Sequence, residues 1–157
     1  FFKQKTAYEI TTRLVGSDKF AYKLAWLEAL NHWLKNQLSE YSQLALLGDF
    51  NIAPDDRDVW DPKGWEGNIL VSPQERQAFS DLLSLGLSDS FRLFEQPEKR
   101  YTWWDYRMLG FQKNHGLRID HILVSDALKS KVKAVDIDKV PRKWPKPSDH
   151  TPYWIEI

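Results

Sequence analysis

The stretch Leu44-Ala45-Leu46-Leu47-Gly48-Asp49-Phe50-Asn51 constrains this chain more than any other. Four apolar residues running into a glycine read as a short buried strand. Beyond it stand two polar residues, one position apart. On an extended backbone, alternate side chains share a side. Asp49 and Asn51 are therefore expected together at the strand's C-terminal end, where α/β folds place their chemistry. A second run, Leu117 to Val124, sets Asp120 inside apolar sequence, and Ser148-Asp149-His150 precedes a closing strand from Tyr153 to Ile157.

With 157 residues the chain fits one domain able to bury a core. It has no cysteine, which removes disulfides, thiol catalysis and zinc–thiolate sites. Lys plus Arg and Asp plus Glu both count 22, so net charge neither supports nor excludes a nucleic-acid partner. No run approaches a membrane span and no signal peptide is visible. A membrane partner is not expected, and the expected location is the cytoplasm.

Residues 1–14 (FFKQKTAYEITTRL) show neither period nor cap and read as a non-native leader, such as a translated adapter, with a native edge strand as the plainer alternative. From Ser17 or Asp18, a possible N-cap, Phe20, Leu24, Leu27, Leu34 and Leu38 recur at helical spacing, broadened by Trp26, Leu30 and Trp33. The strand at 43–47 follows, then a long loop from Ile52 to Val71 of a kind that is often functional. Ser72, Pro73 and Glu75 spell a capped helix start, with Phe79, Leu82 and Leu83 on its buried face and Gly86 at its end. Strands are expected near 101–106, 117–124, 131–137 and 152–157. The alternation points to a layered α/β fold.

Phosphodiester hydrolysis needs an activated water, donors to the non-bridging oxygens and usually a hard cation. Asp49 could orient or deprotonate the water, and Asn51 could donate to the phosphate. Asp149 could bind Mg²⁺. His150 could donate to a phosphate oxygen if Asp120 holds its other nitrogen. Each piece has a plainer reading. Asp-x-Asn after a strand also makes a turn, and an Asp-His pair before a strand can be structural. Asp120 resists that reading, because a buried carboxylate needs a partner.

Residues 16–157 resemble the C-terminal part of the exonuclease III and abasic-site endonuclease family, within the endonuclease/exonuclease/phosphatase superfamily. The motifs that carry the resemblance are Gly48-Asp49-Phe50-Asn51, Ser72 to Arg76, Tyr101 to Arg107, Gly116 to Asp120 and Ser148-Asp149-His150. The resemblance implies the C-terminal part of a four-layer α-β-β-α sandwich of the DNase I-like fold, incomplete here, over residues 15–157. It implies catalytic roles for Asp49, Asn51, Asp120 and His150, and a metal site at Asp49, Asn51 and Asp149 for Mg²⁺, with Mn²⁺ as an alternative. Trp103, Leu117 and Ile119 fall where the family admits a flipped abasic sugar, and Asn68 where it contacts DNA. The reading of all three as core residues stands beside this one. The stretch 139–146 (KVPRKWPK) could touch phosphates or be a solvated loop.

The resemblance implies Mg²⁺-dependent DNA hydrolysis, 3′→5′ exonuclease and abasic-site endonuclease, on double-stranded DNA with abasic sites or 3′ ends, by a monomer when complete. Family members also have an N-terminal half carrying an Asn, the principal metal-binding Glu and a Tyr. These are not visible in this sequence, so the chain is expected to be an inactive fragment. The competing readings are a phosphatase acting on a small phosphate ester and a non-catalytic nucleic-acid-binding remnant.

Overall fold

The computed structural model describes residues 17–157; the leader expected at 1–14 lies outside them. Helix α1 (Ser17–Glu40) leads into strand β1 (Ala45–Asp49). The loop after it holds a 3₁₀ turn (Asp56–Asp58) and a short helix α2 (Pro62–Trp65) before helix α3 (Pro73–Leu83). Then come β2 (Leu87–Asp89), a one-turn helix α4 (Gly110–Lys113), β3 (Asp120–Ser125), α5 (Asp126–Lys129), β4 (Ala134–Ile137) and β5 (Tyr153–Glu156).

Strands β1, β3 and β2 form an antiparallel sheet in that order, and β4 pairs with β5 in a second, two-stranded sheet. Period-2 alternation sorts the faces. Leu46 opposite Leu123 turns toward the helices, where Leu27 and Leu34 of α1 and Phe79 and Leu82 of α3 complete the main core. Ile122 and Val124 turn the other way and pack with Val135, Tyr153 and Ile155 of the second sheet.

Helix α3 begins as its sequence dictates. The Ser72 hydroxyl accepts from the Glu75 amide, the Glu75 carboxylate accepts from the Ser72 amide, and Pro73 occupies the first turn. Gly86, at φ +95°, turns the chain into β2.

Three expectations need correction. Strand β1 is not buried: Ala45 is exposed and Leu47 is 65% exposed, because the second sheet covers the β3 side of that face and stops short of β1. Trp33 does not join the α1 core but is 47% exposed, since α1 packs along the Leu27–Leu34 stripe and Trp33 sits one residue, about 100° of helix, off it. Residues 101–106 make no strand. Trp103 makes single bridges with Leu117 and His150, while Trp104 turns its amide to the Asp149 carbonyl.

Candidate active site

Register delivers the two carboxylates. The last residue of β1, Asp49, lies opposite the first residue of β3, Asp120. The bridge between Trp103 and His150 brings the third group to the same end. His150 Nδ1 lies 2.9 Å from Asp120 Oδ2, and its Nε2 lies 3.9 Å from Asp49 Oδ2. Ligand atoms of these three residues all fall within 4.8 Å of one another.

Asn51 joins by a route that strand alternation does not describe. The strand ends at Asp49, and Asn51 adopts φ +53°, a left-handed conformation that asparagine tolerates better than most residues. The chain thereby folds back. The Asn51 amide donates to Asp49 Oδ1 at 2.8 Å, and its Nδ2 donates to Asp49 Oδ2 at 3.0 Å. The turn and the site are one object.

A buried cation secures that turn from behind. Lys23 of α1 donates from Nζ to the Asn51 carbonyl at 2.5 Å and pairs closely with Glu75, the capping residue of α3. Lys23 sits four residues before Leu27, so a lysine on the apolar stripe of α1 was a signal available in the sequence.

Crowding of negative charge in a half-buried setting shifts the titrating groups. Burial first, and then the neighbouring Asp120, raise Asp49 from 3.8 to about 6, against the opposing pull of His150, the Asn51 amide and Lys23. For His150, burial disfavours the charged form, but the hydrogen bond to Asp120 and the charges of Asp120, Asp49 and Asp149 outweigh it and raise its pKa.

The other residues expected at the site are placed as follows. Asp149 is half-buried and accepts a hydrogen bond from the Trp103 indole at 3.0 Å; it is not in the three-residue cluster. Trp103 is half-buried, whereas Leu117 and Ile119 are 0% and 1% exposed and pack with Ala53, Val59, Leu70 and Val71. Asn68 is exposed in the loop after α2, its Nδ2 donating to the Gly64 carbonyl.

Beneath the site runs a network centred on Arg118, fully buried within the apolar stretch that also holds Asp120. It bonds Asp58 and Asp89, each through two nitrogens, and lies over the Phe91 ring. His121 completes it, with Nε2 on the Ile52 carbonyl at 2.8 Å and Nδ1 3.1 Å from Arg118. Because Arg118 can only donate, Nδ1 must accept and the proton sits on Nε2. These contacts tie the 52–71 loop to β2 and β3.

The group fits a hard divalent cation. Its oxygens are hard donors, and two carboxylates held side by side leave charge for a cation to offset.

Helices on one face of an antiparallel sheet, a second sheet on the other, and an Asp–His pair facing a further carboxylate define an α/β protein of the DNase I-like class. The chain belongs to the Endonuclease/Exonuclease/phosphatase family, whose model matches residues 4–150. Among curated relatives, exodeoxyribonuclease III of Haemophilus influenzae is 38% identical over 146 residues, 88% of this chain and 55% of the relative. Among solved structures, a Neisseria 3′ phosphatase bound to a product DNA hairpin is 46% identical with a TM-score of 0.88, covering 90% of this chain and 55% of that one. An AP endonuclease from Archaeoglobus fulgidus is 35% identical with a TM-score of 0.82, over 88% and 55%. The chain therefore spans about half the length of the relatives it matches.

Proposed function

We propose that this protein hydrolyses DNA phosphodiesters in repair, as a 3′→5′ exonuclease and abasic-site endonuclease dependent on Mg²⁺, with Mn²⁺ as a substitute. The observation that carries this reading is the convergence of Asp49, Asp120 and His150 within 4.8 Å beside Asn51. Asp49, raised to about 6, takes a proton from a water near neutral pH. The water oxygen bonds to phosphorus as the bond to the leaving ester oxygen breaks. His150, its Nδ1 held by Asp120, directs Nε2 toward a non-bridging oxygen. One Asn51 amide hydrogen is engaged by Asp49, which leaves the other for the phosphate. Asp49 with Asn51 would hold the cation, which Asp149 would reach only by turning from the Trp103 indole; when bound, the cation offsets the charge developing on the phosphate.

For lesion binding, Trp103 is the half-buried ring that a flipped abasic sugar would meet. Leu117 and Ile119 would back it from the core, and Asn68 would contact the strand alongside. A second reading, removal of a 3′ phosphate from a DNA end, is favoured by the name of the 46% identical Neisseria relative.

The test compares the chain alone with the chain co-expressed with the N-terminal part of the Haemophilus influenzae enzyme. Substrates are a duplex with one abasic site, a recessed 3′ end and a 3′-phosphate end, each with Mg²⁺ and with chelator. The expected result is chelator-sensitive cleavage by the complemented protein, lost in His150→Gln, and negligible turnover by the chain alone. Complemented protein that folds but cleaves none of the three sinks the reading.

A further inference from the structure

Trp60 and His115 are stacked face to face, with ring centroids 3.7 Å apart and planes 9° from parallel. The two rings come from different segments. Trp60 lies in the loop after β1, and His115 follows α4. Backbone hydrogen bonds seat both, from the Trp60 amide to the Gly116 carbonyl at 3.2 Å and from the His115 amide to the Gly110 carbonyl at 2.8 Å. The pair belongs to none of the apolar clusters, and Trp60 remains 37% exposed. An indole braced on one face by an imidazole and still partly exposed is a rigid aromatic surface that stands outside the apolar clusters.

Its position relative to the candidate site is set by the backbone. His150 bridges Trp103, Trp103 bridges Leu117, and Leu117 bridges Val59, the residue before Trp60. Three steps at the usual inter-strand spacing come to roughly 14 Å.

We propose that the Trp60–His115 pair is a stacking platform for an unpaired nucleobase of the bound DNA strand, roughly 14 Å from the reacting phosphodiester. The inference rests on the DNA reading above. An aromatic surface binds any base through its π-face and needs that face free. The platform thus selects strand ends and frayed segments over continuous duplex. It adds no chemistry; it holds a single-stranded stretch in line with the site.

The experiment uses the whole chain without added metal. Oligonucleotides carry 2-aminopurine at successive positions from the 3′ end, either single-stranded or annealed as a blunt duplex, and both quenching and affinity are read. The expected result is one strongly quenched position in the single strand. Trp60→Ala abolishes that quenching and weakens single-strand binding roughly 5- to 150-fold, the range for one lost base–aromatic stack. Trp60→Phe restores most of both, and blunt-duplex affinity moves little. A Trp60→Ala protein that keeps the fold, the affinity and the quenched position overturns the platform while leaving DNA binding intact. Failure of the unaltered chain to bind any oligonucleotide, both alone and when complemented as above, overturns the DNA reading and the platform with it.

Discussion

Arg118 clasps Asp58 across sixty residues of sequence, Nε to Oδ1 at 2.7 Å and Nη2 to Oδ2 at 3.1 Å, with both side chains out of solvent. The Arg118 amide also donates to the Asp58 carbonyl at 2.9 Å. The clasp fixes the start of the long loop against the strand that begins with Asp120, so loop and site are positioned together.

Breaking that clasp from one side should be expensive. Asp58→Ala leaves Arg118 with Asp89 as its remaining carboxylate partner, and removing one partner of a buried pair costs about 3–5 kcal/mol. The expected outcome is an unfolding free energy lowered by that amount, read as a lower denaturant midpoint with the slope unchanged. A loss below about 1 kcal/mol would show that Asp89 suffices.

Asp120→Asn removes the carboxylate charge that does most to hold the His150 pKa up, leaving burial opposed by Asp49 and Asp149 with at most a neutral acceptor at position 120. The His150 ring should then titrate at lower pH, followed by NMR of the metal-free chain. The sign can be checked through stability. A histidine whose folded pKa is raised contributes stability that is full below 6.5 and lost as pH rises through the folded value. That contribution should shrink in Asp120→Asn.

His121 works in the opposite sense. Burial, then the adjacent Arg118, lower it from 6.5 to about 4, so it is neutral in the fold. The unfolded chain binds the extra proton first, and stability attributable to His121 is present above pH 6.5 and lost as pH falls toward 4. Unfolding free energy followed from pH 7 to pH 4 should decline in the parent. The decline should be shallower in His121→Gln, which keeps a donor for the Ile52 carbonyl.

Leu117 should behave as a core residue in the chain studied alone. At 0% exposure, Leu117→Ala is expected to cost about 2–5 kcal/mol in a thermal or chemical melt. Trp103→Phe keeps a ring but deletes the indole donor to Asp149 and should cost about 1–3 kcal/mol for the unpaired carboxylate. A larger effect from Trp103→Phe than from Leu117→Ala would invert the packing hierarchy.

Much of the fold was legible because local rules and tertiary demands agree. The Ser72-Pro73-Glu75 start of α3 and the Leu27–Leu34 stripe of α1 need no knowledge of their partners. The exposure of Leu47 and Trp33 was not legible, because an apolar residue states a preference for burial and not whether a neighbouring layer arrives. The convergence of Asp49 and Asp120 depended on strand register, which the pattern around each suggested. The turn at Asn51 was open in the sequence as a rival to the site, and the two proved compatible. Lys23, Arg118 and His121 carry structural roles that no motif in the sequence assigns them. Each is a polar group within an apolar pattern, the same signal that drew attention to Asp120.

The outer margin of β1 governs how this chain behaves in company. Among the described residues β1 pairs with β3 alone, so its far side offers a row of open amides and carbonyls beside an exposed Leu47. Such a margin is a template on which a second copy can add its own strand. Self-association should therefore climb with concentration. A lysine at position 47 should suppress it, because a charge there solvates the margin without touching Asp49, His150 or Asp120. The residue that looked most secure in the sequence, a leucine in the middle of an apolar run, thus becomes the handle for keeping the molecule monodisperse.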